Sequence, residues 1–312
     1  MQVFFISLVA TAVLLLVAAV GFLLMKRKTV SEECIPGFSR ILLYVCQPCI
    51  SVYSFYELER SRDTLASLGV FALLSFAVIL IMLVVAWIFL HRKYGEPIYR
   101  IMTIATALAN CSFFGIPIIE ALMPEAASEL TVYTVIFAVA MNIVGWTVGM
   151  VIIKNDPKYM SASKILLNPT TLGVIAALAI WGLGIRLPDE LYSMIVTVGR
   201  MASPLSMLIM GMRLATVRLL PMLTDIRIYL TIAVKQFVMP LVALLLVLYL
   251  PIALPLKQTL YIIAAAPAAS VVLNYAELLG EGQKEAASTV LLSTALSVIT
   301  LPIMMLLLPV LG

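Results

Sequence analysis

Apolar residues occupy the chain in long runs separated by short charged segments. A bilayer crossing takes roughly 20 residues. On that measure the pattern predicts ten membrane helices, over residues 3–25, 36–55, 65–90, 98–123, 129–153, 165–184, 189–212, 227–250, 258–279 and 285–310. The segments between them leave no room for a soluble domain. The first run follows Met1-Gln2 with no positive charge. It also exceeds the roughly 7–15 residues of a signal-peptide core, so a retained first span is expected.

One stretch interrupts this pattern. "NCSFFGIPIIEALMP", residues 110–124, sets Asn110, Gly115 and Pro117 close together inside the predicted fourth span. Proline within a helix removes a hydrogen bond and crowds the preceding turn, at a cost of roughly 3 kcal/mol. In lipid, freed backbone groups are tolerated only where protein buries them or a polar cavity receives them.

Basic residues set the expected orientation, because short cytoplasmic loops collect Lys and Arg. Thirteen lie in or beside the odd-numbered loops: Lys26, Arg27, Lys28, Arg92, Lys93, Arg100, Lys154, Lys158, Lys164, Arg213, Arg218, Arg227 and Lys284. Four lie in even-numbered loops: Arg60, Arg62, Arg186 and Lys257. Both termini are therefore expected outside. Ten spans with termini on one side divide into residues 1–154 and 155–312, and five crossings per half insert the second half upside down. Proline spacing agrees with that division. Pro48 and Pro117 are 69 residues apart, and Pro204 and Pro267 are 63 apart. If helices four and nine are both broken and cross, their half-helix N-termini direct partial positive charge at one point, an arrangement suited to an anion.

Composition narrows the class further. The 312 residues are 63% hydrophobic and 12% charged, with a mean hydropathy of +1.13, which describes an all-α polytopic membrane protein. A net charge of +4 and no basic run longer than Lys26-Arg27-Lys28 leave no nucleic-acid footprint. The lipid bilayer is the expected partner.

The run from Asn110 through Gly115-Ile116-Pro117-Ile118-Ile119 to Ala121-Leu122 resembles the fourth-helix signature of the auxin efflux carrier family. That family includes plant auxin exporters and bacterial permeases for malate or malonate. "ILLNPTTLGVIAALAIWGLGIRLPDEL", "ASPLSMLIMGMRL", "KQFVMP", "AAPAASVVLNYAELLG" and "AASTVLLSTALSVITLP" extend the resemblance over nearly the whole chain. It implies a scaffold of helices 1, 2, 6 and 7 and a transport domain of helices 3–5 and 8–10 that moves like an elevator. It further implies that Asn110 contacts substrate just before the break and that Pro117 and Pro267 define the crossing. Ser112 and Gly115 are expected beside them. Ser270 stands where an amide is expected, a departure that bears on the substrate. The long cytoplasmic loop of some plant members is absent. A homodimer through the scaffold helices and a plasma membrane location, the inner membrane in a bacterium, are expected.

Other chemistry finds little support. "CQPC" at Cys46–Cys49 lies within a span without the context of a redox motif, and Cys34 and Cys111 read as small hydrophobes. No cluster has metal-ligand spacing, His91 is the only histidine, and no cofactor motif occurs. Asp63, Asp156, Asp189 and Asp225 sit in loops or at span edges, and no nucleotide-binding or nucleophile-elbow motif is present, so no enzyme is expected. The function read from the chain is a secondary carrier of small organic anions such as carboxylates. Its alternatives are an ion channel, a membrane sensor, or a sodium- or proton-coupled symporter of bile-acid-transporter-like fold.

Glu120, Lys235 and Glu277 are candidates for coupling. Lys235 lies near the start of span eight, where it can snorkel more easily than Arg200, and the family resemblance of that span also implies a structural or coupling role for it inside the transport domain. Arg200, about ten residues into span seven, costs roughly 2.5–3.5 kcal/mol at mid-membrane. It is expected either to lend positive potential to a carboxylate site or to pair with a neighbouring helix.

Overall fold

The computed structural model describes residues 1–160, 166–217 and 223–312. Lys164 and Arg218, counted above among the basic residues, and Ile165, the expected start of span six, lie outside the described residues. The described chain is helical, and its one β-bridge, Ala109 to Ala268, is isolated. Among the described residues, seven helices are long and apolar enough to cross a membrane. These are α1 (Gln2–Lys26), α2 (Glu32–Tyr56), α3 (Arg62–Lys93), α6 (Ala127–Lys154), α8 (Asp189–Thr216), α9 (Ile226–Leu248) and α12 (Gln283–Met305). The shorter helices are α4 (Pro97–Ala105), α5 (Cys111–Leu122), α7 (Pro169–Leu183), α10 (Leu254–Ala265) and α11 (Val271–Leu279).

Local chemistry explains several boundaries. Ser61 caps α3 by accepting from the Thr64 amide at 3.0 Å, and Asn168 caps α7 by accepting from the Thr170 amide at 2.9 Å, with Pro169 in the first turn. Such caps satisfy donors that a helix start leaves unpaired. α7 ends at Gly184, whose φ of +71° a side chain resists; the Ile185 amide then returns to the Ile180 carbonyl at 3.0 Å. Helix-breaking prolines are absorbed by a wider turn just before them. π turns at Leu42–Cys46, Cys111–Gly115 and Val234–Val238 precede Pro48, Pro117 and Pro240, loosening the backbone where the ring would otherwise clash.

The helices pack as two groups that also meet, α1 lying on α12 and α5 and α2 on α6. α1 lies along α8 so closely that a side chain on Gly21 or Gly211 would strike the facing backbone at Leu208 or Ala18. Close approach through small residues is how helices associate in lipid. α2 packs on α7, with Gly173 against Pro48, and on α8, with Gly199 against Tyr53. In the second group α3 packs on α6, α9 on α10, and α11 on α12. Charged residues gather at one end of this group. The Arg100 guanidinium, buried, donates to the Ile153 carbonyl at 2.8 Å and to Glu281 at 3.2 Å, and Lys154 donates to Glu281 at 3.1 Å. The Lys154 and Arg100 donors hold the Glu281 carboxyl below its ordinary range.

The predicted fourth and ninth spans are each interrupted. α4 gives way at residues 106–110 before α5 begins, and α10 gives way at residues 266–270 before α11 begins. The two breaks cross: the Asn110 amide donates to the Pro267 carbonyl at 2.9 Å, and the Ala269 amide donates to the Leu108 carbonyl at 3.0 Å. Pro267 lies in its break, but Pro117 does not lie in the other. It sits inside α5, past the π turn, and the carbonyl its missing N–H would leave free, that of Phe113, accepts from Ser203 Oγ of α8 at 2.6 Å. The crossing in the first half is thus made by Leu108–Asn110, not by Pro117.

Candidate functional site

The crossing delivers the starts of two helices to one place. Asn110 immediately precedes α5 and Ser270 immediately precedes α11. The first amides of each helix carry the positive end of its dipole, although those of Cys111, Val272 and Leu273 already donate to the carbonyls of Ala109, Ala269 and Ser270. Beside them lies a cavity of about 290 Å³. One wall comes from α2 and α7 through Tyr44, Gln47 and Thr170. The other comes from α5, α6 and α11 and includes Asn110, Ser112, Asn142, Ser270, Asn274 and Tyr275. The cavity therefore lies between the two helix groups.

Its lining is apolar for the most part, with several carboxamides and, among the described residues, no charged side chain. Three buried polar atoms on lining residues have no hydrogen-bond partner within the protein: Gln47 Oε1, Asn110 Nδ2 and the Tyr275 hydroxyl. Those residues are 2%, 3% and 1% exposed. A buried polar atom left unpaired costs about 1–3 kcal/mol, and all three lie behind the cavity surface rather than on it. Tyr275 is held edge-on against Trp146, ring centroids 5.1 Å apart. Only a glycine at position 145 leaves room for its ring, since a Cβ there would lie 2.6 Å from Cε2.

The residues singled out from the sequence fall in different places. Asn110, Ser112 and Ser270 line the cavity. Pro267 forms the crossing through its carbonyl, while Gly115 and Pro117 lie further along α5, where the Gly115 amide donates to the Asn110 carbonyl at 3.1 Å. Arg200 is exposed at the bend of α8 and is not among the lining residues. Glu120 is exposed near the end of α5, and Glu277 is exposed and paired with Arg213 of α8. Lys235 does not snorkel. It is fully buried, and its Nζ donates to the carbonyls of Ala264 at 2.9 Å and Ala266 at 2.7 Å.

Gln47, Asn142, Thr170, Asn274 and Tyr275 were not anticipated. The available signal was isolated carboxamides inside apolar runs: Gln47 beside Pro48, Asn142 in mid-span, and Asn274 four residues after Ser270. Polar side chains at membrane depth are costly and mark function.

Interrupted helices that cross beside a cavity, within a chain of membrane-crossing helices, define a multi-pass membrane transport protein. The family model described as membrane transport protein matches residues 6–165 and again residues 158–305. The chain belongs to that family, the auxin efflux carriers. No curated protein matches it.

Proposed function

We propose that this protein is a secondary carrier of small organic monoanions, carboxylates above all. The observation that carries the reading is the convergence of two helix N-termini on a cavity that, among the described residues, has no charged side chain in its lining. Each helix start presents about half a positive charge, so the pair balances about one carboxylate. A second carboxylate would enter an apolar site uncompensated, at a cost of several kcal/mol. Monoanions are thereby favoured over dianions.

The reading includes ten crossings in two inverted halves, 1–154 and 155–312, with α4–α5 and α10–α11 each counted as one broken crossing and α7 as a short one. Contacts between loops support it. Arg227 reaches Glu96 at 3.0 Å, and Arg100 and Lys154 reach Glu281, all joining odd-numbered loops. The Trp181 indole donates to the Leu58 carbonyl at 2.9 Å and the Leu187 amide to the Tyr56 hydroxyl at 3.1 Å, both joining even-numbered ones. The two family matches meet at residues 158–165, beside the division between halves. The cavity wall formed by α2 and α7 belongs to the scaffold, and displacement of the other group past it gives alternating access in the plasma membrane.

Purified protein tests this by thermal shift against alkyl and aryl monocarboxylates, the matching dicarboxylates and the matching primary amides. Monocarboxylates are expected to bind at least tenfold tighter than either comparison set. Equal stabilisation by amides would sink the anion assignment. Counterflow in proteoliposomes then separates a carrier, which exchanges labelled for unlabelled monocarboxylate, from a channel, which only dissipates the gradient.

A further inference from the structure

Lys235 lies directly behind the crossing, outside the cavity, and is fully buried. Among the described residues no carboxylate pairs with it. Its two partners are backbone carbonyls that the break in the chain has released. The Ala264 carbonyl would ordinarily accept from the Ala268 amide, but that amide donates to Ser293 Oγ at 3.2 Å. The Ala266 carbonyl lies past the end of α10, one residue before Pro267, whose own carbonyl carries the crossing bond to Asn110. Both carbonyls sit at the negative end of α10.

Released carbonyls and half-helix C-termini at such a crossing are the groups with which carriers of broken-helix design coordinate a coupling cation. Here a lysine of the chain occupies them. The ammonium is a compact point charge with three donors, and it is delivered by the π turn at Val234–Val238. The neighbouring Gln236 fastens that turn to α12, donating to the Ser293 carbonyl at 2.8 Å and accepting from Thr300 at 3.0 Å.

We propose that the Lys235 ammonium is a resident cation that fills the cation site behind the crossing, so that this protein binds no dissociable sodium ion there. The inference rests on the carrier reading of the adjoining cavity, yet it concerns a different set of atoms. A sodium gradient then has no purchase on the crossing.

The test uses the full chain without any carboxylate, so its failure is distinct from a failure of anion binding. Equilibrium binding of radiolabelled sodium to the wild type is expected to show no saturable component; a saturable component overturns the proposal, and this arm needs no variant to fold. Lys235→Ala is expected to lower the melting temperature, with most of the loss restored by sodium or propylammonium chloride and not by choline chloride at equal ionic strength. Lys235→Met, which fills the space without charge, is expected to melt low in all three salts. A Lys235→Met protein that melts like the wild type, or a Lys235→Ala protein indifferent to the cation supplied, overturns the assignment.

Discussion

Asn110 joins backbone and side-chain roles in one residue. Its amide is spent on the Pro267 carbonyl and its own carbonyl on the Gly115 amide, while its side chain belongs to a residue that lines the cavity. The side chain can therefore be removed without dismantling the crossing. Hydrogen bonds to charged groups contribute about 1.5–3 kcal/mol. Asn110→Ala is accordingly expected to weaken monocarboxylate binding roughly 10- to 100-fold, with a melting temperature near that of the wild type. Titration calorimetry and a thermal scan of the same preparation check both halves of the expectation. A destabilised variant of normal affinity would show that the side chain braces helices instead. Tyr275 differs in kind, because its ring edge and hydroxyl fill the space left by Gly145 and its ring packs on Trp146.

At the scale of elements, what could be read from the sequence depended on whether the cause of a feature was local. The break at residues 266–270 was legible because Pro267 sits within it. Its counterpart at residues 106–110 contains no proline and was displaced in the reading to Pro117, the nearest helix breaker. A π turn absorbs Pro117, and Ser203, 90 residues away, takes up the carbonyl it would leave free. No periodicity announces a partner that distant. Asn110, Ser112 and Ser270 were within reach because they adjoin the breaks. Gln47, Asn142, Asn274 and Tyr275 reach the cavity only through helix packing, and Arg200 was drawn in by its depth while the turn of α8 leaves it exposed. The link between Pro117 and Ser203 can be measured. Ser203→Ala leaves the Phe113 carbonyl without its acceptor bond and is expected to cost about 1–3 kcal/mol. In a Pro117→Ala background, residue 117 regains an N–H one helical turn beyond that carbonyl, and the same Ser203→Ala change is expected to cost much less. A double-mutant cycle by thermal unfolding reads the difference, and equal costs in the two backgrounds would break the link.

At the scale of the whole molecule, the proposed ten-crossing reading sorts the loops by parity. Ion pairs tie the loops after the third, fifth, seventh and ninth predicted spans to one another, as in Arg227 with Glu96 and Lys154 with Glu281. The opposite end gathers Glu57, Glu59, Glu125 and Glu129 around a second cavity of about 340 Å³. These contacts are what the proposed ten-crossing reading requires, with each broken pair counted as a single crossing. The excess of Lys and Arg in the odd loops then decides which end faces the cytoplasm, because positive residues are retained there during insertion. Cys34 is a native reporter of this orientation. It is the exposed cysteine of the chain and lies in the first loop, whereas Cys46 and Cys111 are buried and Cys49 is partly so. In sealed cells a membrane-impermeant maleimide is expected to leave the wild type unlabelled, and permeabilisation is expected to expose Cys34. Ser128→Cys, in the fourth loop, is expected to react without permeabilisation, and Lys158→Cys, in the fifth, only after it. Labelling of Cys34 and Lys158→Cys in sealed cells with Ser128→Cys protected would invert the molecule in the membrane. Any mixture of the two patterns would instead break the ten-crossing count, because a single lost or added crossing reverses every loop that follows it.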